Sequence, residues 1–192
     1  MCKGFIFDKF KIIPSIRRLK ELNVALNSKP DILLLSEVHI GNLPALTSMC
    51  HEKNKLVLVN IDMIGGISGD QMGIKLLKDL FKVDGVMSAS TMKVNIAKSL
   101  GLYTIQRFFL IDSRSYETSL KSLKTSKVDA IEVLPAPMAP HFVKEIRNVK
   151  DIPLLAGGFI KDKDTLNSIR EAGFDGVTTS ERNLWSIENK TK

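Results

Sequence analysis

The chain has 192 residues, 44% hydrophobic and 26% charged, which fits one soluble domain with a single core and leaves no room for a second full domain. Its 28 basic and 21 acidic residues give a formal charge of +7 and a pI near 9.4, a balance that favours anionic partners such as phosphorylated small molecules or nucleic acid. Cys2 and Cys50 alone make neither a disulfide framework nor a metal cage, the start MCKGFIFDKF is too short and charged for a signal-peptide core, and no apolar run approaches the roughly 18 residues a bilayer span needs, so a cytoplasmic location is expected.

Strand-like and helix-like runs alternate along the chain. The first predicted strand, residues 10–14 (FKIIP), leads to a helix in which Ile16, Leu19, Leu22 and Leu26 form an apolar face beside Lys20. Strands follow at 31–36 (DILLLS) and 55–62 (KLVLVNID). The loop GGISGD after the latter holds Gly65, Gly66 and Gly69 before Asp70, without the spacing of a dinucleotide fingerprint. The remaining strands are predicted at 84–89 (DGVMSA), 103–111 (YTIQRFFLI), 129–134 (DAIEVL), 152–156 (IPLLA) and 175–179 (DGVTT). Between the last two, Asp162 can cap a helix that Gly173 closes. Most strands are nearly continuous apolar stretches, as strands covered on both faces are. Eight βα units in 192 residues average 24 each, well below the roughly 250-residue norm of the (β/α)8 barrel. The expectation is therefore an α/β fold: a compact TIM-like (β/α)8 barrel with short loops, spanning 1–192 as a single domain with a loose tail at 189–192. An open doubly wound sheet is the alternative.

A barrel's functional face is built from the C-terminal ends of its strands. Candidates there are Ser36, Glu37, Asn60, Asp62, Ser88, Ser90, Gln106, Arg107, Asp112, Glu132, Gly157, Gly158, Thr179 and Ser180. Asn60, Asp62, Arg107 and Glu132 interrupt apolar strands, so they must pair with one another or with a ligand. An Arg107–Glu132 ion pair is one account; a polar mouth over an apolar core is the other. The run PLLAGGFIKDKDTLNSIREAGFDGVTTS spells a phosphate clamp, with Gly157 and Gly158 after the seventh strand and Thr179 and Ser180 after the eighth. His39, His51 and His141 stand apart at no metal-ligand spacing, so no metal and no cofactor are expected. Asp62 and Glu132 could act as an acid and a base, but no catalytic residue is assigned.

The segments NIDMIGG with Asp70, DGVMSAS, TIQRFFLIDS, EVLPA, LLAGGFI, GVTTS and the late LW resemble the glycerol uptake operon antiterminator regulators of bacteria, from about Ile12 to Trp185. The resemblance implies a TIM-like barrel that binds glycerol 3-phosphate and acts on a leader mRNA, regulating transcription of glycerol-utilisation genes by antitermination rather than catalysing a reaction. It places the ligand phosphate at Gly157, Gly158, Thr179 and Ser180 and the polyol beside Asp62, Arg107, Glu132 and Ser88. This chain departs from the family pattern in having Asn60 in place of His, Ala89 and Ser90 in place of Thr and a basic residue, and Ala136 in place of Gly. Lys93 is near enough in sequence to substitute for the missing basic contact. A homodimer would combine two lysine-rich faces toward RNA. The competing readings are a barrel enzyme acting on a phosphorylated triose or glycerol, and a phosphate-binding scaffold for a protein partner.

Overall fold

Eight short runs of buried, mostly apolar residues form eight strands in this computed structural model, which describes residues 7–187; Cys2 and the expected tail at 189–192 lie outside them. The strands are β1 (Lys11–Ile16), β2 (Ile32–Leu35), β3 (Leu56–Asn60), β4 (Gly85–Ser88), β5 (Tyr103–Phe109), β6 (Ala130–Leu134), β7 (Leu154–Gly157) and β8 (Gly176–Thr179). Each pairs in parallel with the next, and β8 pairs with β1 from Lys11↔Gly176 to Pro14↔Thr179, so the barrel is closed. Closure excludes the open doubly wound sheet. Helices α1 (Leu22–Leu26), α2 (Leu43–Glu52), α3 (Gln71–Asp79), α4 (Thr91–Ser99), α5 (Ser113–Thr125), α6 (Val143–Val149) and α7 (Lys163–Glu171) follow strands β1 to β7 in turn. A 3-10 turn, Arg182–Leu184, follows β8. Among the described residues no helix is long and apolar enough to cross a membrane.

Side-chain caps set where several helices begin. Asp70, Ser90, Asp112 and Asp162 each accept a backbone N–H from the first turn of α3, α4, α5 and α7. Gly173, at φ +92, stands just past α7 as predicted. Two expectations are corrected. Ile16 belongs to β1 rather than to a helix, and the segment after it is split into a 3-10 turn, Leu19–Glu21, and the five-residue α1. β3 stops at Asn60, whose Oδ1 accepts the Asp62 N–H at 3.1 Å; the carboxylate of Asp62 therefore sits in a 3-10 turn beyond the strand, not within it.

Alternation along each strand divides the core in two. Ile13, Ile32, Leu34, Leu58, Met87, Ile105, Ala130 and Leu155 fill the barrel interior. Their neighbours Ile12, Val57, Val86, Phe108, Val133 and Val177 pack outward against Leu77, Ala97, Leu123, Ile146 and Ile169 of the helices. At the N-terminal end of the barrel, Phe7 stacks on Tyr103 with ring centroids 6.5 Å apart.

Three aspartates repeat one device around that end, and a fourth varies it. Asp84, Asp129 and Asp175 stand immediately before β4, β6 and β8, and their Oδ2 atoms accept the backbone N–H of Val57, Thr104 and Leu154 from the preceding strand. Each also meets a basic side chain of the helix that leads into that preceding strand: His51 of α2, Lys98 of α4 and Arg147 of α6. Asp31, before β2, pairs with Lys11 of β1 at 2.7 Å. Asp84, Asp129 and Asp175 thus each fix one strand to the next and to the helix preceding the pair, while Asp31 ties β2 to β1 alone. Asp175→Ala leaves the Leu154 N–H without its acceptor and removes one of the partners of Arg147, which keeps the Gly173 carbonyl, and is expected to lower stability by about 2 kcal/mol in urea unfolding, the scale of a hydrogen bond to a charged group.

Candidate ligand site

One step above the apolar interior, the inward positions of the strands become polar. Asn60 of β3, Arg107 of β5, Glu132 of β6 and Thr178 of β8, together with Ser15 of β1, line a cleft of about 610 Å³ at the C-terminal ends of the strands, over Leu34 and Met87. A polar wall over an apolar floor is the usual composition of a small-molecule site.

Glu132 is the centre of this wall. Its side chain is only 2% exposed, yet both oxygens are satisfied: the Arg107 Nε donates to Oε2 at 2.8 Å, and the Thr178 hydroxyl donates to Oε1 at 2.5 Å. A carboxylate this deep costs several kcal/mol unless it is paired and hydrogen-bonded, and here it is both. Arg107 also lies over the Phe109 ring at 4.9 Å. Gly157 makes room for the group, because a Cβ there would stand 2.6 Å from Glu132 Oε1 and 2.7 Å from Thr178 Oγ1. Its place in the sequence pattern follows from this close approach; Gly157 does not itself line the cleft, whereas Gly158 does.

The loops after β7 and β8 form the adjoining rim. Gly158 and Phe159 follow one another in the left-handed region, φ +78 and +60, and Phe159 is 72% exposed at the mouth. A bulky side chain in that region costs roughly 1–2 kcal/mol. Thr179 fixes the two loops together: its hydroxyl donates to the Ile160 carbonyl at 3.1 Å and accepts the Glu181 N–H at 3.0 Å, while its own carbonyl accepts the Trp185 indole N–H at 2.9 Å. The buried Ala136 N–H donates to the Gly157 carbonyl at 2.8 Å, tying the β6 loop to the same rim. Ser180, Lys161 and Arg17 complete the border, the last paired with Glu37 at 3.0 Å.

Asp62, Ser88 and Lys93 meet one another but do not line this cleft. Ser88 ends β4 on the outward side of the wall, and its hydroxyl bonds the Asp62 carboxylate at 2.9 Å; the Ala89 N–H donates to the same group at 2.9 Å and Lys93 Nζ at 2.8 Å. Partial burial alone would push the Asp62 carboxyl up, but the hydrogen bonds from Lys93, Ala89 and Ser88 outweigh it and hold the group below the ordinary carboxylate range. The cluster fastens the β3 loop to the start of α4. Gly69 lets the lysine stem pass, since a Cβ there would sit 2.6 Å from its Cε. Gln106, Ser90 and Asp112 also leave the cleft: Gln106 Nε2 bonds Thr91 and Ser122 between α4 and α5, while Ser90 and Asp112 cap helices. Ser36, Glu37, Asn60, Thr179 and Ser180 remain on it.

The other reactive groups are placed elsewhere. His51 lies on α2 against Asp84, His141 in a 3-10 turn, and His39 in a bridge to Gly65. Burial, reinforced by Asp84 and opposed by Lys55, pushes the Cys50 thiol up to about 11, so it is not a nucleophile at neutral pH. Among the described residues no three His, Cys, Asp or Glu side chains gather where they could hold a metal ion.

A closed parallel barrel with a cation-bordered polar cleft at the strand ends defines a TIM-like barrel built to hold a small ligand. More particularly, the chain belongs to the glycerol-3-phosphate responsive antiterminators, the family whose sequence pattern matches residues 12–185. It is similar to the glycerol uptake operon antiterminator regulatory protein of Listeria monocytogenes str. 4b F2365, with 29% identity and a TM-score of 0.88 over 93% of this chain and 96% of that one. A glycerol uptake operon antiterminator-related protein of Thermotoga maritima MSB8 shares the fold, with 24% identity and a TM-score of 0.84 over 93% and 99% of the two chains. The YgcP protein of Escherichia coli (strain K12) is 24% identical over 179 residues, 93% of each chain.

Two outcomes follow from the geometry. Gly157→Ala displaces the Glu132 carboxylate, and a loss of about 2 kcal/mol or more in urea unfolding is expected from forcing a contact into a packed core. For Asp62, whose folded carboxyl titrates below its unfolded value, the stabilising contribution is complete above the unfolded pKa of about 3.9 and disappears as pH falls through the folded value. Asp62→Asn should therefore be less stable than the native protein at pH 6, and the gap should narrow below about pH 4 in thermal unfolding across pH.

Proposed function

We propose that the cleft binds glycerol 3-phosphate and that its occupancy controls the action of this chain on a leader mRNA upstream of glycerol-utilisation genes. The observation that carries the reading is the composition of the cleft in a chain of this family: a paired, buried carboxylate in its wall and a left-handed glycine loop with bordering cations at the adjoining rim. The phosphate fits the Gly158 and Ser180 rim, where the cations Lys161 and Arg17 border the space. The polyol hydroxyls fit Glu132 and Arg107, which both line the cleft. Asp62, Ser88 and Lys93 support the site by holding the β3 loop, and Gly157 by admitting Glu132.

The same geometry favours a sensor over a catalyst. A general base needs a carboxylate with a pKa near the working pH. Asp62 is instead held below the ordinary range and engaged by Lys93, and Glu132 is engaged by Arg107 and Thr178. For control, the ligand must bind the RNA-competent state more tightly than the other; the β6, β7 and β8 loops, joined through Ala136 and Thr179, are the elements it would order.

Calorimetry with glycerol 3-phosphate and mobility shift of the leader RNA test the two halves. The native protein should bind the ligand, and RNA affinity should rise with ligand and fall with salt. Glu132→Gln should weaken glycerol 3-phosphate about 10- to 100-fold, the loss of a charged hydrogen bond, while inorganic phosphate binding changes little. Native protein that binds no glycerol 3-phosphate, or RNA binding indifferent to both ligand and salt, would sink the proposal.

A further inference from the structure

Charge is distributed unevenly around the barrel. Residues 71–127, from α3 to just past α5, hold ten basic and four acidic side chains; residues 7–70 hold eight and seven, and residues 128–187 seven and nine. Nearly the whole excess of the chain therefore lies in one sector. Lys93 and Arg107 serve the cleft and its supporting cluster. The outer surface carries Lys75 and Lys78 on α3, Lys82 just after it, Lys98 on α4, Lys121 and Lys124 on α5, and Lys127 just beyond, all exposed.

These lysines share one wall. The side chain of Lys78 on α3 reaches the Leu100 carbonyl past the end of α4. α4 and α5 are joined by the Thr91 and Ser122 hydroxyls and by the Lys127 N–H on Asn95 Oδ1 at 2.8 Å. Helix axes packed about 8–10 Å apart make the three-helix face roughly 20 Å wide, enough to meet several phosphates at once. Lysine in a last helical turn complements the helix dipole, and that accounts for Lys78, Lys98 and Lys124. It does not account for Lys75 and Lys121, which lie in mid-helix. Lys75, Lys82, Lys121 and Lys124 enter no ion pair among the described residues.

The wall also lacks what single-stranded readers use. Phe81, Tyr103 and Phe108 are buried, Phe109 and Tyr116 are partly buried, and the exposed apolar residues of the sector are Met72, Leu76, Leu80, Met92 and Ile111. No aromatic platform is presented on which unpaired bases could stack. A broad basic face without aromatics suits helical nucleic acid, which is met chiefly through its phosphates and shape.

We propose that the α3–α5 lysine wall is the RNA-facing surface of this protein and that it grips a double-stranded stem through the phosphate backbone; this rests on the reading that the chain acts on a leader mRNA. The test is fluorescence anisotropy of a labelled leader stem between 50 and 200 mM salt, with glycerol 3-phosphate present, for the full chain and two variants. In Lys75→Gln/Lys121→Gln/Lys124→Gln, the slope of log affinity against log salt should become shallower by about 3, roughly one per lost phosphate contact, and affinity should fall on the order of 10²-fold at 100 mM salt. The control Lys144→Gln/Lys163→Gln, on α6 and α7, should bind as the native protein does. Glycerol 3-phosphate affinity unchanged in the triple variant shows that the barrel is intact; if the triple variant is unstable, the single Lys121→Glu replaces it, with at least a tenfold loss expected. Native affinity and slope in a folded wall variant overturn the assignment of the surface while leaving the regulator reading standing. Failure of the native protein to bind any leader RNA overturns the regulator reading, and the wall with it. An unpaired strand of equal length that competes as well as the stem overturns the duplex assignment.

Discussion

Closure of the sheet by the β1–β8 pairing is the constraint from which the rest follows. Once eight strands are joined in a ring, every side chain is committed to the interior or to the helical layer, and the choice alternates residue by residue. Ile13, Leu58, Ile105 and Leu155 are inside and their neighbours are outside, with no intermediate position. The interior has a fixed height. Its lower levels are filled with apolar side chains, and the inward positions left at the upper end hold Asn60, Arg107, Glu132 and Thr178. The cleft is therefore where the alternating rows emerge from the core.

Electrostatics within that frame are local and nearly self-contained. Glu132 has Arg107, Asp62 has Lys93, and the aspartates before β2, β4, β6 and β8 each have a basic partner. Of these carboxylates only Glu132 lies in the low-dielectric interior, where Arg107 and Thr178 offset its desolvation; the aspartates keep part of their surface in water. The pairing also sets the chemistry: a carboxylate engaged by fixed partners is held in one orientation, ready to accept hydrogen bonds from hydroxyl groups. The separation between the α3–α5 wall and the cleft is of the same kind, with interior charge used for positioning and surplus charge left outside.

The fold was legible because eight apolar runs separated by capped helices admit few arrangements; Asp162 and Gly173 bracket α7 as the cap rules require. The site was only half legible. Position at a strand end identifies a height in the barrel, but not a direction. Asn60, Arg107 and Glu132 and their neighbours Ser88 and Gln106 all sit at similar heights, and alternation sends the first three inward and the last two outward. Counting in steps of two from the apolar interior would have recovered Ser15 from Ile13 and Thr178 from Gly176, neither of which stood among the candidates. Lys161 and Arg17 were hidden for another reason: both belong to loops whose path depends on tertiary contacts such as the Thr179–Ile160 hydrogen bond. Gly157 was noticed for its type but read as a contact, when its lack of a side chain serves Glu132 next door. The aspartate ring escaped as a repeat because its members share only position before an even-numbered strand, a regularity of topology rather than of letters.

Trp185 gives the β8 wall an optical signature. It is the chain's only tryptophan, it is 1% exposed, and its indole donates to the carbonyl of Thr179, the residue whose hydroxyl joins the β7 and β8 loops. A lone buried indole reports the polarity and hydrogen bonding of one place. Emission from this protein is consequently a reading of the clasp behind the cleft, with no second fluorophore of its kind to dilute it, so the state of that rim is encoded in a spectrum without any label being added.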